Sequence, residues 1–208
     1  MDNIIITIAR QYGSGGKTIG EMYAKEMGIN CYSREILRMA SDDSGINELL
    51  FHQADERLNN ISLFGLAKKI YKGDLIPPES DGFVSDRNLF NYQAKIIKQL
   101  ADQESCVIVG RCADFVLKEY PNVVSVFVHA PKDYFIARSL ERSAITSEKE
   151  MERFIAKTDK FRGDYYHYYT GNVWHDARNY DLCLDSSKLG FEKCVEAIKQ
   201  YVALRFGK

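Results

Sequence analysis

The apolar positions of this chain change period as they are followed from the N-terminus. Ile4-Ile5-Ile6-Thr7-Ile8 is a β-branched run without polar alternation, the pattern of a strand buried on both faces. Ile19, Met22, Tyr23 and Met27 then recur at helical spacing, and Gly28 is placed to end that helix. Ile29 to Tyr32 predicts a short second strand, followed by a helix over Ile36, Leu37, Met39 and Ala40 with Ser33 as its N-cap. Ser41-Asp42-Asp43-Ser44-Gly45 is expected to break it. Helical periodicity returns over 46–72, through Ile46, Leu49, Leu50, Leu58, Ile61, Phe64, Leu66 and Ile70. The stretch from Gly73 to Gly82, with Pro77 and Pro78, reads as a mobile surface loop. Leu89, Tyr92, Ile96, Ile97 and Leu100 mark another helix.

Beyond residue 105 the alternation of strands and helices is regular. Cys106 to Val109 and Val123 to Val128 are buried strands. A short helix holds Phe115, Val116 and Leu117, and another covers about 131–143, with Pro131 in its first turn. Thr146 or Ser147 starts a long helix that runs into Tyr165-Tyr166-His167-Tyr168-Tyr169, aromatics best read as packing onto the core. A last strand lies within 180–187, and Phe191, Val195, Ile198 and Val202 line one face of a C-terminal helix. Buried strands alternating with helices predict an α/β fold, a parallel sheet covered on both faces.

Composition narrows the class. The chain has 208 residues, 45% hydrophobic and 27% charged, with a formal net charge of −1. That length fits a single domain, and the balance gives no bulk electrostatic case for nucleic acid or a membrane surface. No apolar run approaches membrane-spanning length. Five cysteines, none in a C-x-x-C pair, favour a reduced cytoplasmic setting, with Cys106 and Cys183 as small core residues.

The candidate chemistry begins where the first strand ends. Gly13-Ser14-Gly15-Gly16-Lys17-Thr18 sits between a buried strand and a helix, the context of a phosphate-binding loop. Glycines let the backbone approach a polyphosphate, and the helix N-terminus adds partial positive charge. Lys17 is placed for the β- and γ-phosphates and Thr18 for Mg²⁺. The pattern G-x-x-x-x-G-K-[ST] asks for glycine where Gln11 stands.

Arg111 follows a strand end directly, as Ser33-Arg34 follows another, and ligands bind outside such ends. Two guanidiniums there could clamp one phosphate. Arg138, Arg142, Arg153 and Arg162 form a further set. Any one reads equally well as a surface residue in an ion pair, such as Arg138 with Glu141. Together they fit the positive charge that phosphoryl transfer needs. Asp114, Asp159, Asp164, Asp181 and Asp185 are either Mg²⁺ or acceptor groups, or caps and partners of those arginines. His129 is placed at a strand end near the site, and the four histidines show no metal-ligand spacing.

These residues resemble the cytidylate kinase-like proteins, a nucleoside monophosphate kinase branch of the P-loop fold. The resemblance rests on 9–17, on Val107-Ile108-Val109-Gly110-Arg111, on Asp159-Lys160-Phe161-Arg162 and on 180–187. It implies a three-layer α/β fold with a five-stranded parallel sheet: a core of 1–32, 104–145 and 178–208, an acceptor-binding insert of about 33–103, and an arginine-bearing lid of about 146–177. It implies γ-phosphoryl transfer from ATP, with Mg²⁺, to a small nucleotide such as CMP or dCMP. Lys17 and Gly13 to Thr18 would hold the donor, Arg34 and Arg111 the acceptor phosphate, with Asp114 as a further acceptor-side candidate. Arg138 and Arg162 would clamp the moving group. Where cytidylate kinases carry aspartate after Gly-Arg, this chain has Cys112. A kinase of another small metabolite and a non-catalytic nucleotide-binding regulator are the competing readings.

Overall fold

In the computed structural model, which describes residues 3–60, 70–140 and 143–207, five parallel strands form one sheet in the order β2-β3-β1-β4-β5. They are β1 (Ile5–Arg10), β2 (Asn30–Tyr32), β3 (Cys106–Val109), β4 (Val123–His129) and β5 (Leu182–Asp185). β1 is central, registered from Ile5 opposite Cys106 to Ile8 opposite Val109 on one side, and paired with β4 on the other. Helices cover both faces, which is why β1 shows no polar alternation.

One face packs Ile6 and Ile8 against α1 (Gly16–Met27) and α8 (Ser186–Phe206). The other packs Ile5 and Ala9 with α2 (Glu35–Ser44), α4 (Asp86–Gln103) and the C-terminal part of α7 (Glu148–Thr170). There Phe90 stacks on Tyr169, ring centroids 3.9 Å apart, and Tyr165 meets Tyr169 edge-on. Tyr165, Tyr166, Tyr168 and Tyr169 are all buried, so the aromatic run is core packing, as its composition suggests.

Several local expectations are corrected. Ser33 does not cap α2; Arg34 precedes it in helical conformation, and the Ser33 N–H donates to the Glu35 carboxylate at 2.8 Å. The helix also runs through 41–44 and stops only at Gly45. Ser44 donates its hydroxyl to the Ala40 carbonyl within the helix, while Ser41 donates to the Ile46 carbonyl beyond its end and Asp43 pairs with Lys95. The periodicity from 46 yields α3 (Glu48–Asn60). Ile61, Phe64 and Leu66 lie outside the described residues, and 70–72 are not helical. Cys183 is exposed rather than in the core, because it lies on the edge strand β5.

The 70–85 segment is anchored rather than loose. Asn88, fully buried on α4, accepts from the Ile76 N–H at 2.8 Å. Its amide donates to the carbonyls of Ile76 and Phe83 at 3.1 and 2.8 Å. The Asn91 amide donates to the Asp74 carbonyl. Replacing Asn88 with Ala removes three hydrogen bonds to partly buried backbone groups, and it should lower unfolding stability by roughly 2–4 kcal/mol in urea titrations. A loss below about 1 kcal/mol would show that the loop does not depend on them.

Candidate active site

The loop Gln11–Gly15 joins β1 to α1 and is pinned from several sides. The Gln11 N–H donates to the Val128 carbonyl at 3.1 Å, and the Tyr12 N–H to the Asp159 carboxylate at 2.8 Å. The Ser14 hydroxyl donates to the Gln11 carbonyl at 2.9 Å, while the Ser14 carbonyl accepts from the Ser186 hydroxyl at 2.7 Å. Gly15 has φ +80, and a Cβ there would stand 2.0 Å from Phe191 Cζ. Both its conformation and its space exclude a side chain. No side chain caps α1, and its first turn carries no acidic residue. The start of α1 therefore presents amides and a cation, Lys17, to any anion.

A cavity of about 530 Å³ opens over this loop, lined by Gly13, Gly15, Gly16, Lys17, Arg34 and Arg138 among others. Ser14 and Thr18 do not line it; Ser14 is buried and shapes the loop instead. Lys17 lies exposed beside Glu21 at 3.4 Å. The Arg138 guanidinium lies 4.3 Å from the centre of the Phe191 ring.

A second cavity, of about 270 Å³, lies beyond the ends of β1 and β3. Its floor is Gly110-Arg111-Cys112, where all three residues have positive φ: 78, 61 and 54. Such values are strained for arginine and cysteine and cluster at functional sites. The turn directs Arg111 to Asp55 on α3 at 2.5 Å and to Gln93 at 3.4 Å. Burial works against the Arg111 charge, but Asp55 and Tyr165 outweigh it and its pKa lies above the usual value. Cys112 begins α5 (Ala113–Val116), buried, with its thiol pushed well up by burial and by Asp114, so it is not a nucleophile. Asp114 lines this cavity and accepts from the Tyr166 hydroxyl at 2.6 Å. Burial raises its carboxyl to about 6 despite that bond.

The two cavities share a wall: Arg10, Ser33, Arg34 and Arg162 line both. Arg162 donates to the Arg10 carbonyl at 3.1 Å and to Asp159 at 3.2 Å. Burial lowers the Arg162 pKa and raises that of Asp159, each moderated by the other.

Not every candidate arrives here. Arg153 is exposed and lines neither cavity. Arg142 and Glu141 lie outside the described residues. Asp164 pairs with Lys160, Asp181 with Ser125 and Arg205, and Asp185 caps α8 through the Ser187 N–H at 3.0 Å. His129 ends β4 with its carbonyl accepting from Ser186, and it lines neither cavity. Among the described residues no group of three or more His, Cys, Asp or Glu could hold a metal ion. Sequence reasoning missed Asp55, Phe191 and the placement of Arg10.

The sequence profile of the cytidylate kinase-like family matches residues 5–188. The chain belongs to the cytidylate kinase-like family. A curated cytidylate kinase of Methanosarcina barkeri (strain Fusaro / DSM 804) is 26% identical over 196 residues, spanning 93% of each chain. Among solved structures, an uncharacterized protein from Eubacterium ventriosum ATCC 27560 superposes with a TM-score of 0.69 at 28% identity, covering 96% of this chain and 98% of that one. Shikimate kinase from Bacteroides thetaiotaomicron reaches 0.51 at 13% identity, over 96% and 98%. A sugar kinase from Janibacter sp. HTCC2649 reaches 0.54 at 16%, over 96% and 94%. The last two share the fold. As a member of this kinase-like family, the chain has the expected P-loop kinase architecture. No helix among the described residues is long and apolar enough to cross a membrane.

The Asp114 carboxyl yields a stability test. Its folded pKa, about 6, exceeds the ordinary value of 3.8. The native state therefore holds its proton longer than the unfolded chain, and stability falls as pH rises from about 4 to 6. Asp114→Asn keeps an acceptor for Tyr166 and removes the charge. It should raise Tm at pH 8 by at least roughly 3 °C, with the gain vanishing near pH 4. An unchanged Tm at pH 8 would contradict the burial argument.

Proposed function

We propose that the protein transfers the γ-phosphoryl group of ATP to a pyrimidine nucleoside monophosphate, CMP or dCMP. The observation that carries this reading is the arginine-lined wall common to the loop cavity and the cavity over Gly110. A two-substrate phosphotransferase needs two adjoining sites with positive charge where they meet. The named relative from Methanosarcina barkeri supports a nucleotide acceptor.

In this reading Gly13, Gly15, Gly16 and Lys17 hold the donor triphosphate at the uncapped start of α1, over a loop that Ser14 shapes from beneath. Thr18, next to Lys17 on α1, would hold Mg²⁺ by its hydroxyl, and the ion would supply positive charge against the donor phosphates. Residues 33–103 cover the acceptor and 146–177 form the lid. Arg34 and Arg111 bind the acceptor phosphate, and Asp55 occupies Arg111 until that phosphate replaces it. Asp114, held by Tyr166, is a carboxylate set to accept from an exocyclic amine of the base. Arg162 and Arg138 stabilise the equatorial oxygens of the group in flight, where one well-placed cation contributes orders of magnitude in rate.

Cys112 favours one further reading. A buried neutral thiol stands where cytidylate kinases carry aspartate, which fits an acceptor other than CMP, such as a sugar or coenzyme precursor.

Coupled ADP release across CMP, dCMP, UMP and AMP decides the matter. We expect acceptor-dependent turnover with CMP or dCMP. ATP binding without turnover on any monophosphate sinks the proposal, and a thermal-shift panel of phosphorylatable metabolites then tests the second reading. Arg162→Ala should lower kcat by about 10²–10³ while ATP affinity stays within about threefold. An unchanged kcat would remove Arg162 from the chemistry.

A further inference from the structure

Of the arginines around the shared wall, Arg34 is exposed and needs no partner, whereas Arg10, Arg111 and Arg162 are half-buried. Arg111 faces Asp55 and Arg162 faces Asp159. Arg10, the last residue of β1, has no carboxylate at ion-pair distance from its guanidinium among the described residues. Its backbone carbonyl accepts from Arg162. Burial, then the like charges of Arg162 and Arg111, pull its pKa down to about 9, with Asp159 opposing.

Room has been made for this side chain at two separate places, the first residue of α1 and the turn after β3. A Cβ on Gly16 would stand 2.4 Å from Arg10 Cβ, and one on Gly110 would stand 2.3 Å from Arg10 Nη1. Gly16 therefore clears the stem and Gly110 the head. The guanidinium so accommodated lines both cavities. A desolvated cation beside two others destabilises the fold unless an anion arrives. The site's geometry leaves that anion to the ligands.

We propose that Arg10 is a catalytic residue whose guanidinium contacts the phosphoryl group passing between the two cavities. This rests on the two-substrate reading above and adds a third cation to its clamp. In the transfer, the bond from Pγ to the ADP oxygen breaks with its electron pair left on ADP. A bond forms from Pγ to a phosphate oxygen of the dianionic acceptor. No proton has to be removed, so Arg10 acts through charge and its planar set of donors.

The test needs no acceptor. ADP with aluminium fluoride, a stand-in for the phosphoryl group in flight, is titrated calorimetrically into wild type and Arg10→Met. We expect aluminium fluoride to tighten ADP binding at least tenfold in wild type and less than threefold in Arg10→Met, with affinity for ADP alone within threefold of wild type. The ligand-free Tm of Arg10→Met should equal or exceed that of wild type, because an unpaired buried charge has been removed. With an active acceptor, its kcat should fall at least 100-fold. Absence of the aluminium fluoride effect in wild type, or its survival in Arg10→Met, overturns the proposal. A lowered Tm with the effect intact marks Arg10 as structural packing and overturns it as well. A wild type inactive on every monophosphate refutes the acceptor reading alone, since the aluminium fluoride response still decides Arg10.

Discussion

The carboxylate of Asp159 is the contact on which the geometry of the candidate active site depends. It lies on α7, far along the chain from the loop, yet it accepts the Tyr12 N–H and holds Arg162 at 3.2 Å. One side chain thereby fixes both the backbone that faces the larger cavity and a guanidinium of the shared wall. Burial raises its pKa, and the Tyr12 amide and the Arg162 cation work against that rise. The Ser186 hydroxyl supports the same loop from the opposite side by binding the Ser14 carbonyl. Loop, α7 and α8 are thus locked together by polar contacts above a sheet held by apolar ones.

The second cavity follows a related logic. Three successive left-handed residues end β3, and two of them carry side chains. That strain turns Arg111 toward Asp55 and buries Cys112 at the head of α5. A straighter turn would leave the guanidinium in solvent. The local conformational penalty is offset by a desolvated ion pair, which is weak support for stability and strong support for orientation.

The frame was legible from sequence because its signals are local. An unalternating isoleucine run can only be a strand covered on both faces, and glycines followed by Lys-Thr mark the turn into α1. The Gly110-Arg111 pair was legible for the same reason, since a strand end places whatever follows it. What stayed hidden was tertiary. Asp55 and Arg111 are 56 residues apart and meet through the packing of α3. Arg10 closes β1 with no local signal of its role; only the space cleared by Gly16 and Gly110 shows its place. Arg153 and Arg162 share one helix, but nine residues at about 100° each put the two on opposite sides of it. Ser33 does not cap α2 because Arg34 already takes a helical conformation, and the helix continues to Gly45, whose left-handed backbone ends it. Cys183 was misjudged because apolar character does not reveal which strand lies at an edge.

The stacked aromatics under the end of α7 have a mechanical meaning. Phe90 and Tyr169 clamp one end of a 23-residue rod, and Tyr165 sits at the edge of the clamp. From Tyr165 to Glu148 the rod extends about 25 Å, at 1.5 Å per residue. Its far half is held as well: Met151 and Ile155 are buried against Ala130 and Ile136, and Phe154 meets Tyr12 edge-on. A rod held at both ends keeps the stations between its clamps, Asp159 and Arg162, at a constant spacing along its axis.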